Sequence, residues 1–447
     1  MADELPQLIE EVVAAEQAEN DSASTIEDLI ASQDVEEIAL LLESLPLDQR
    51  LKVWVNVPNR KKLDVLVQMR ADPREILIAE TDESNWTRIF EDIDAEDLLE
   101  LADSLPRELL ENALSVMDKQ QRQYFQNANQ YEDEQIGHWM CQDVLVLPSN
   151  AKVRDGMRIA RREIAVHTDT IFLINRNGQF SEAVKIINLL SSPEHIPLSD
   201  IAEETIPTIV VTADCSSSAT NVLKSGFAAL PVVDEQGKLM GKVDVTTAGD
   251  LLQEYYEYQL MASAGMDEDE DLFAPVKKSA KNRALWLGIN LLTAFLASWF
   301  IGLFEATLQE VVALAVLMPV VASMGGIAGS QTLTLIIRGL ALDQVNSANC
   351  RALLIKELSV GALNGIVWAI VIGIVAYLWF DSSLIGLVIA VAILMNILSA
   401  ALAGVIIPVI LDKAKLDPAL SGSVILTTVT DIVGFVAFLG LGTIFLL

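Results

Sequence analysis

Asp431 stands alone as an acid in the apolar stretch "SVILTTVTDIVGFVAFLG", residues 423 to 440. An ionised carboxylate at bilayer depth costs about 2.5–3.5 kcal/mol on insertion scales, and such an acid faces a cavity, a partner or a cation. No Lys or Arg lies within the charge-free interior of any apolar stretch, so a salt-bridge partner at that depth is lacking. A protonated acid in a helix contact is the other reading. A second stretch, "MPVVASMGGIAGSQTLTLIIRG" from Met318 to Gly339, places Pro319, Gly325, Gly326 and Gly329 where they would weaken or break a helix. Broken backbone is tolerated at depth only where neighbours or a water-filled cavity satisfy it. Gly325 and Gly329 also form a GxxxG, which equally serves close helix contact.

Polar oxygens accompany the acid. Ser330, Gln331, Thr332 and Thr334 follow the glycines, and Asn290, Asn364, Asn396, Ser423, Thr427, Thr428 and Thr430 lie in the same half. Ser and Thr in spans often bond back to their own helix. The set is neutral oxygen plus one acid per chain, with no thiolate or imidazole cluster. His138, His167 and His195, and Cys141, Cys215 and Cys350, are scattered without metal-ligand or disulfide spacing. Hard cations prefer oxygen, whereas zinc or copper call for Cys, His or Met. Mg2+ fits best, because it sheds water reluctantly and is held through its waters by few carboxylates. One acid per chain is sparse for one ion, which suggests a homodimer.

Five apolar segments position these residues. The 447 residues are 52% hydrophobic, with a mean hydropathy of +0.39, yet the net charge is −32. The contradiction resolves by halves. From Lys277 onward nine Lys/Arg face eight Asp/Glu, leaving 21 basic and 54 acidic residues before it. Spans are expected at about 284–304, 311–337, 358–380, 384–411 and 419–447, each long enough for a hydrocarbon core of ~30 Å. Lys277, Lys278, Lys281, Arg283, Arg338, Arg351, Lys356, Lys413 and Lys415 fall on one side, and Glu305, Glu310 and Asp381 on the other. The positive-inside rule then gives a cytoplasmic N-terminus and an external C-terminus in the cell membrane. The acidic first half argues against nucleic acid as a partner and for cations, although a solvated acidic face explains the charge as well. The start lacks a basic and apolar leader, so no signal peptide is expected.

Residues 1–24 read as an acidic tail and 25–135 as a helical superhelix, in which "LESLP" at 42–46 recurs as "ADSLP" at 102–106. Beyond Gly137 the periodicity changes to short β-branched runs with turns at Asn177-Gly178 and Gln236-Gly237. Two α/β units are expected, 136–199 and 200–252. The second, with "LPVVDEQGKLMG", resembles a CBS (cystathionine-β-synthase-type) domain. CBS pairs often bind ATP or another adenine nucleotide, and Thr247-x-x-Asp250 has the spacing of that site; Thr247 as a helix N-cap is the bland alternative. An acidic connector, 253–283, carries Asp267 to Asp271 before the basic cluster. No nucleophile–base pairing or phosphate-cradling glycine loop points to an enzyme.

The order of helical repeat, CBS pair, acidic connector and five spans, with "MPVVASMGGIAGSQTLTLIIRGLA", "DPAL" at 417–420 and "TDIVGF" at 430–435, resembles the MgtE-type magnesium channels along essentially the whole chain. The resemblance implies a multidomain membrane protein, a homodimer with Asp431 as the pore acid for hydrated Mg2+, and Thr427, Thr428, Ser423, Gly325 and Gln331 as pore lining. It also implies closure by cytosolic Mg2+ bridging acidic faces, with Asp234, Asp250, Glu254, Glu257, Asp267, Asp269 and Asp271 as candidates. A Na+- or H+-coupled divalent cation transporter, and a membrane-anchored nucleotide sensor, are the rival readings. The family pattern G-N-x-G-x-Q is departed from at Ile327, and an Asn expected at the start of the fifth span is Ser423.

Overall fold

The computed structural model describes residues 5–17, 26, 29–161, 168–203, 205–266, 269–342, 344–346 and 348–447. The chain forms two compact units, Met1–Glu257 with Asp269–Val276, and Tyr258–Glu268 with Lys277–Leu447.

The first unit opens with helix Leu5–Gln17. The expected tail is therefore helical in this part, and Leu8 and Val12 are buried in the helical core. Each "SLP" separates two helices, Val35–Glu43 from Leu47–Asn56 and Ala95–Leu101 from Arg107–Val116. Pro46 and Pro106 stand at the N-caps of the later helices, where a missing N–H breaks no helical bond. Asp94 and Asp118 cap two other helices, accepting from the amides of Asp97 and Gln121 at 2.9 and 2.8 Å.

The α/β part holds two sheets with one topology. β1 (Val146–Pro148) runs parallel to β2 (Thr170–Ile174), which pairs antiparallel with β3 (Phe180–Lys185). β4 (Ile209–Val210), β5 (Ala229–Val233) and β6 (Leu239–Asp244) repeat the order. Gly178 and Gly237 both take φ +78° in the hairpin turns, a conformation open to glycine at no steric cost. The register shifts at the corresponding place in each hairpin, Leu173/Ile174 and Val232/Val233. After β6 comes helix Val245–Ser263.

Among the described residues, the membrane unit contains five helices long and apolar enough to span: Val276–Gly302, Val312–Ala341, Cys350–Phe380, Ser383–Lys413 and Pro418–Leu446. The first four outrun their charge-free stretches on the basic side, because Lys and Arg reach to the interface without ending a helix. The second is continuous through Pro319, Gly325 and Gly329, so of the two readings of its glycines, a broken helix or close helix contact, it is the second that the backbone fits. Half of the fourth span's apolar window is buried but only 6% of the first's, and the second, third and fifth spans all pack against the fourth.

Candidate ion-conducting groove

Spans two and five form an open groove of about 760 Å3. On the second span Ile327, Ser330, Gln331 and Thr334 line it, and on the fifth Thr427 and Asp431. The spacings of three, four and seven residues set them on one helical face. The opposite face of the second span, with Gly325, Gly329, Thr332 and Ile336, is buried. Asp431 is half-buried and has no hydrogen bond or ion pair among the described residues. The Thr427 hydroxyl donates to its own helix at Ser423 O, 2.8 Å, leaving its lone pairs as acceptors. The groove can therefore present several neutral oxygens and one free carboxylate.

The other expected lining residues lie elsewhere. Gly325 abuts Asn396, whose Nδ2 would stand 2.2 Å from an added Cβ; its neighbour Gly326 lines the groove instead. Thr428 donates to Val424 O at 2.7 Å, and neither it nor Ser423 is among the lining residues. The "DPAL" motif begins the fifth span: the Asp417 carboxylate accepts from Ala419 N at 2.7 Å, with Pro418 in the first turn. Asp417 also accepts from the Tyr258 hydroxyl. Glu357 is a buried acid of the membrane unit that the charge-free stretches hid, because the third helix starts at Cys350. It accepts from Thr332 Oγ1 at 3.2 Å and pairs with Lys356 at 2.5 Å.

The regulatory candidates divide sharply. Asp271 places Oδ2 2.5 Å and Oδ1 2.8 Å from Arg50, both residues being buried. Arg50 also donates to the carbonyls of Leu42 and Leu45, at 2.7 and 3.2 Å. Asp269 accepts from Ala71 N at 3.1 Å, and Glu257 pairs with Arg70 at 3.0 Å. Asp234 closes its own turn through the amides of Gln236 and Lys238. Asp267 lies outside the described residues. Glu254 differs: burial pushes its carboxyl up to about 7, with Glu100, Asp269 and Glu257 adding repulsion. Burial also raises Asp250, helped by Asp244 and Glu36. Glu100, missed in the sequence, belongs to the same acidic surroundings and is itself raised by burial, against the pull of Arg74. Among the described residues, no three acid, His or Cys side chains converge to hold a bare metal ion.

At the CBS-type site, Asp244 accepts from the amides of Thr246 and Thr247, at 3.1 and 3.0 Å, and from the Thr247 hydroxyl at 3.2 Å. Asp244, not Thr247, therefore caps this helix, and the hydroxyl expected for a nucleotide is already bonded.

The model of the MgtE divalent cation transporters matches residues 318–441, and that of the MgtE intracellular N domain matches 33–134. The magnesium transporter MgtE of Bacillus subtilis is 26% identical over 414 residues, 92% of this chain and 91% of that protein. MgtE of Thermus thermophilus is 26% identical over 336 residues, 74% of each chain. A solved cytosolic domain of the Mg2+ channel MgtE in complex with ATP is 19% identical, with a TM-score of 0.47, over 55% of this chain and all of that one. Groove, helical domain, CBS-type pair and five spans thus occur in a chain that matches the MgtE family models over residues 33–134 and 318–441 and is similar to MgtE of Bacillus subtilis along nearly its whole length.

Proposed function

We propose that the protein conducts Mg2+ across the cytoplasmic membrane as a homodimer and is closed by cytosolic Mg2+. The observation that carries this reading is the unpaired Asp431 beside hydroxyls and an amide in the open groove. Water occupies about 30 Å3 a molecule in the liquid, so Mg2+ with six waters needs on the order of 200 Å3 and enters a groove of about 760 Å3 without dehydration. A carboxylate then acts through the waters, which suits an ion that exchanges them reluctantly. The relatives' names support Mg2+ as the cation. A groove open on one side suits completion by a second copy, which would bring a second Asp431 to the path. The basic flanks of the spans support a cytoplasmic first unit.

For closure, Glu100, Asp269 and Glu257 repel Glu254, and a hydrated divalent cation near them would relieve that repulsion. Adenine-nucleotide binding at Thr247 and Asp250 gains no support from the local bonding of Thr247.

The full-length chain in liposomes tests the proposal, with Mg2+ uptake measured as internal Mg2+ is varied. Uptake that falls as internal Mg2+ rises, and vanishes in Asp431→Asn, is the expected result. Unchanged flux in that variant overturns the groove assignment. Flux that requires a Na+ or pH gradient replaces the channel with a coupled transporter, and no flux at all returns the spans to an anchoring role.

A further inference from the structure

Asn396 lies in the fourth span and is fully buried. An amide away from water must find its bonds within the protein. Its Nδ2 donates to the Val321 carbonyl of the second span at 2.8 Å, whereas its Oδ1 has no hydrogen-bond partner. Two glycines make room for it. A Cβ on Gly325 would stand 2.2 Å from Nδ2, and one on Gly434 of the fifth span 2.6 Å from the same atom. Three helices thus meet at one side chain.

The place of the meeting matters for the groove. Gly325 directly precedes the lining residues Gly326 and Ile327, and Gly434 follows Asp431 by about one helical turn. The neighbouring buried positions of the fourth span are aliphatic, Ile389, Ile393 and Ile397. Filling space alone would be met by another such residue, without an unsatisfied oxygen. An amide adds what an aliphatic side chain lacks, a bond of fixed direction to the second span.

We infer that Asn396 is a positioning residue for the ion path: by seating on Gly325 and Gly434 and bonding Val321, it fixes the separation of spans two and five at the level of Asp431. The inference rests on the reading of the groove as the Mg2+ path, while the separation itself is measurable without transport. Spin labels at Ser330 and Thr427 of the full-length chain report the width of the groove, and liposome flux reports discrimination between Mg2+ and Ca2+. Asn396→Ala is expected to shift or broaden the label distance, raise the Mg2+ concentration for half-maximal flux several-fold and lower the Mg2+/Ca2+ ratio. Should that variant not fold, Asn396→Ser, which keeps a donor, is read in the same way and is expected to show a smaller shift. An unchanged width and ion preference, with only the unfolding temperature lowered, overturns the inference and leaves Asn396 as a packing residue. If the unmodified chain carries no Mg2+, the groove reading fails and the label distance alone decides whether Asn396 sets the separation.

Discussion

In the first unit Asp271 gives both carboxylate oxygens to Arg50, at 2.5 and 2.8 Å, while in the membrane unit Asp431 gives its own to no side chain among the described residues. Both are acids in surroundings that disfavour charge. Asp271 is neutralised by a guanidinium whose fork matches a carboxylate, and whose remaining donors are spent on backbone carbonyls. The charge of that acid is already met by a cation of the chain itself. Asp431 retains its full capacity, and its unmet charge is what a cation can use. Sequence alone offered both Asp271 and Asp431 as cation ligands; the bonding of Asp271 to Arg50 separates the two.

Four tests bear on the contrast. Asp431→Asn should abolish Mg2+ uptake while leaving the unfolding temperature of the full-length chain nearly unchanged, because no native bond is lost. Asp271→Asn should do the opposite in kind, since it leaves the Arg50 charge buried and unpaired, at a cost of about 3–5 kcal/mol. Urea unfolding followed in the first unit reads that loss, and an unchanged midpoint would remove Asp271 from its structural role. The third test is pH. Because Glu254 is held up to about 7, against an ordinary 4.5, its burial costs nothing below about pH 4.5 and weakens the unit increasingly from there up to about pH 7, above which the cost is constant. Without Mg2+, protection from proteolysis should therefore fall between about pH 4.5 and 7 and level off above that, and Glu254→Gln should flatten that fall. The smallest effect belongs to the helix cap: Asp244→Ala should cost about 1 kcal/mol, and Thr247→Ala less than about 0.5 kcal/mol. A larger loss from Thr247 would return the cap to that residue.

The parts that were legible in the sequence are those written in local patterns. Uninterrupted apolar runs exposed the spans, glycine in two-residue turns exposed both hairpins, and an acid without a basic neighbour exposed Asp431. Asp271 and Arg50 are 221 residues apart, and a pair so distant leaves no periodic trace in one sequence. Gly325 and Gly326 show a subtler limit. Adjacent residues on a helix differ by about 100° in direction, so the glycine run announced close approach but not which glycine met Asn396 and which faced the groove. The Thr247 cap was misassigned because its acceptor, Asp244, ends a strand. The first helix was legible and overlooked, since Leu5, Leu8, Ile9 and Val12 already carry helical spacing.

The bond between Tyr258 and Asp417 gives the fifth span a handle. Asp417 caps that helix, and Asp431 stands 14 residues further on, about 21 Å along the axis at 1.5 Å per residue. The helix is a lever with its grip at the cap and its acid along the arm. A tilt of about 5° about the cap sweeps the carboxylate by roughly 2 Å, close to the 2.0–2.1 Å length of an Mg2+–oxygen bond. The hydrogen bond at the cap thus sits where a small tilt of the fifth span becomes a movement of Asp431 of atomic size.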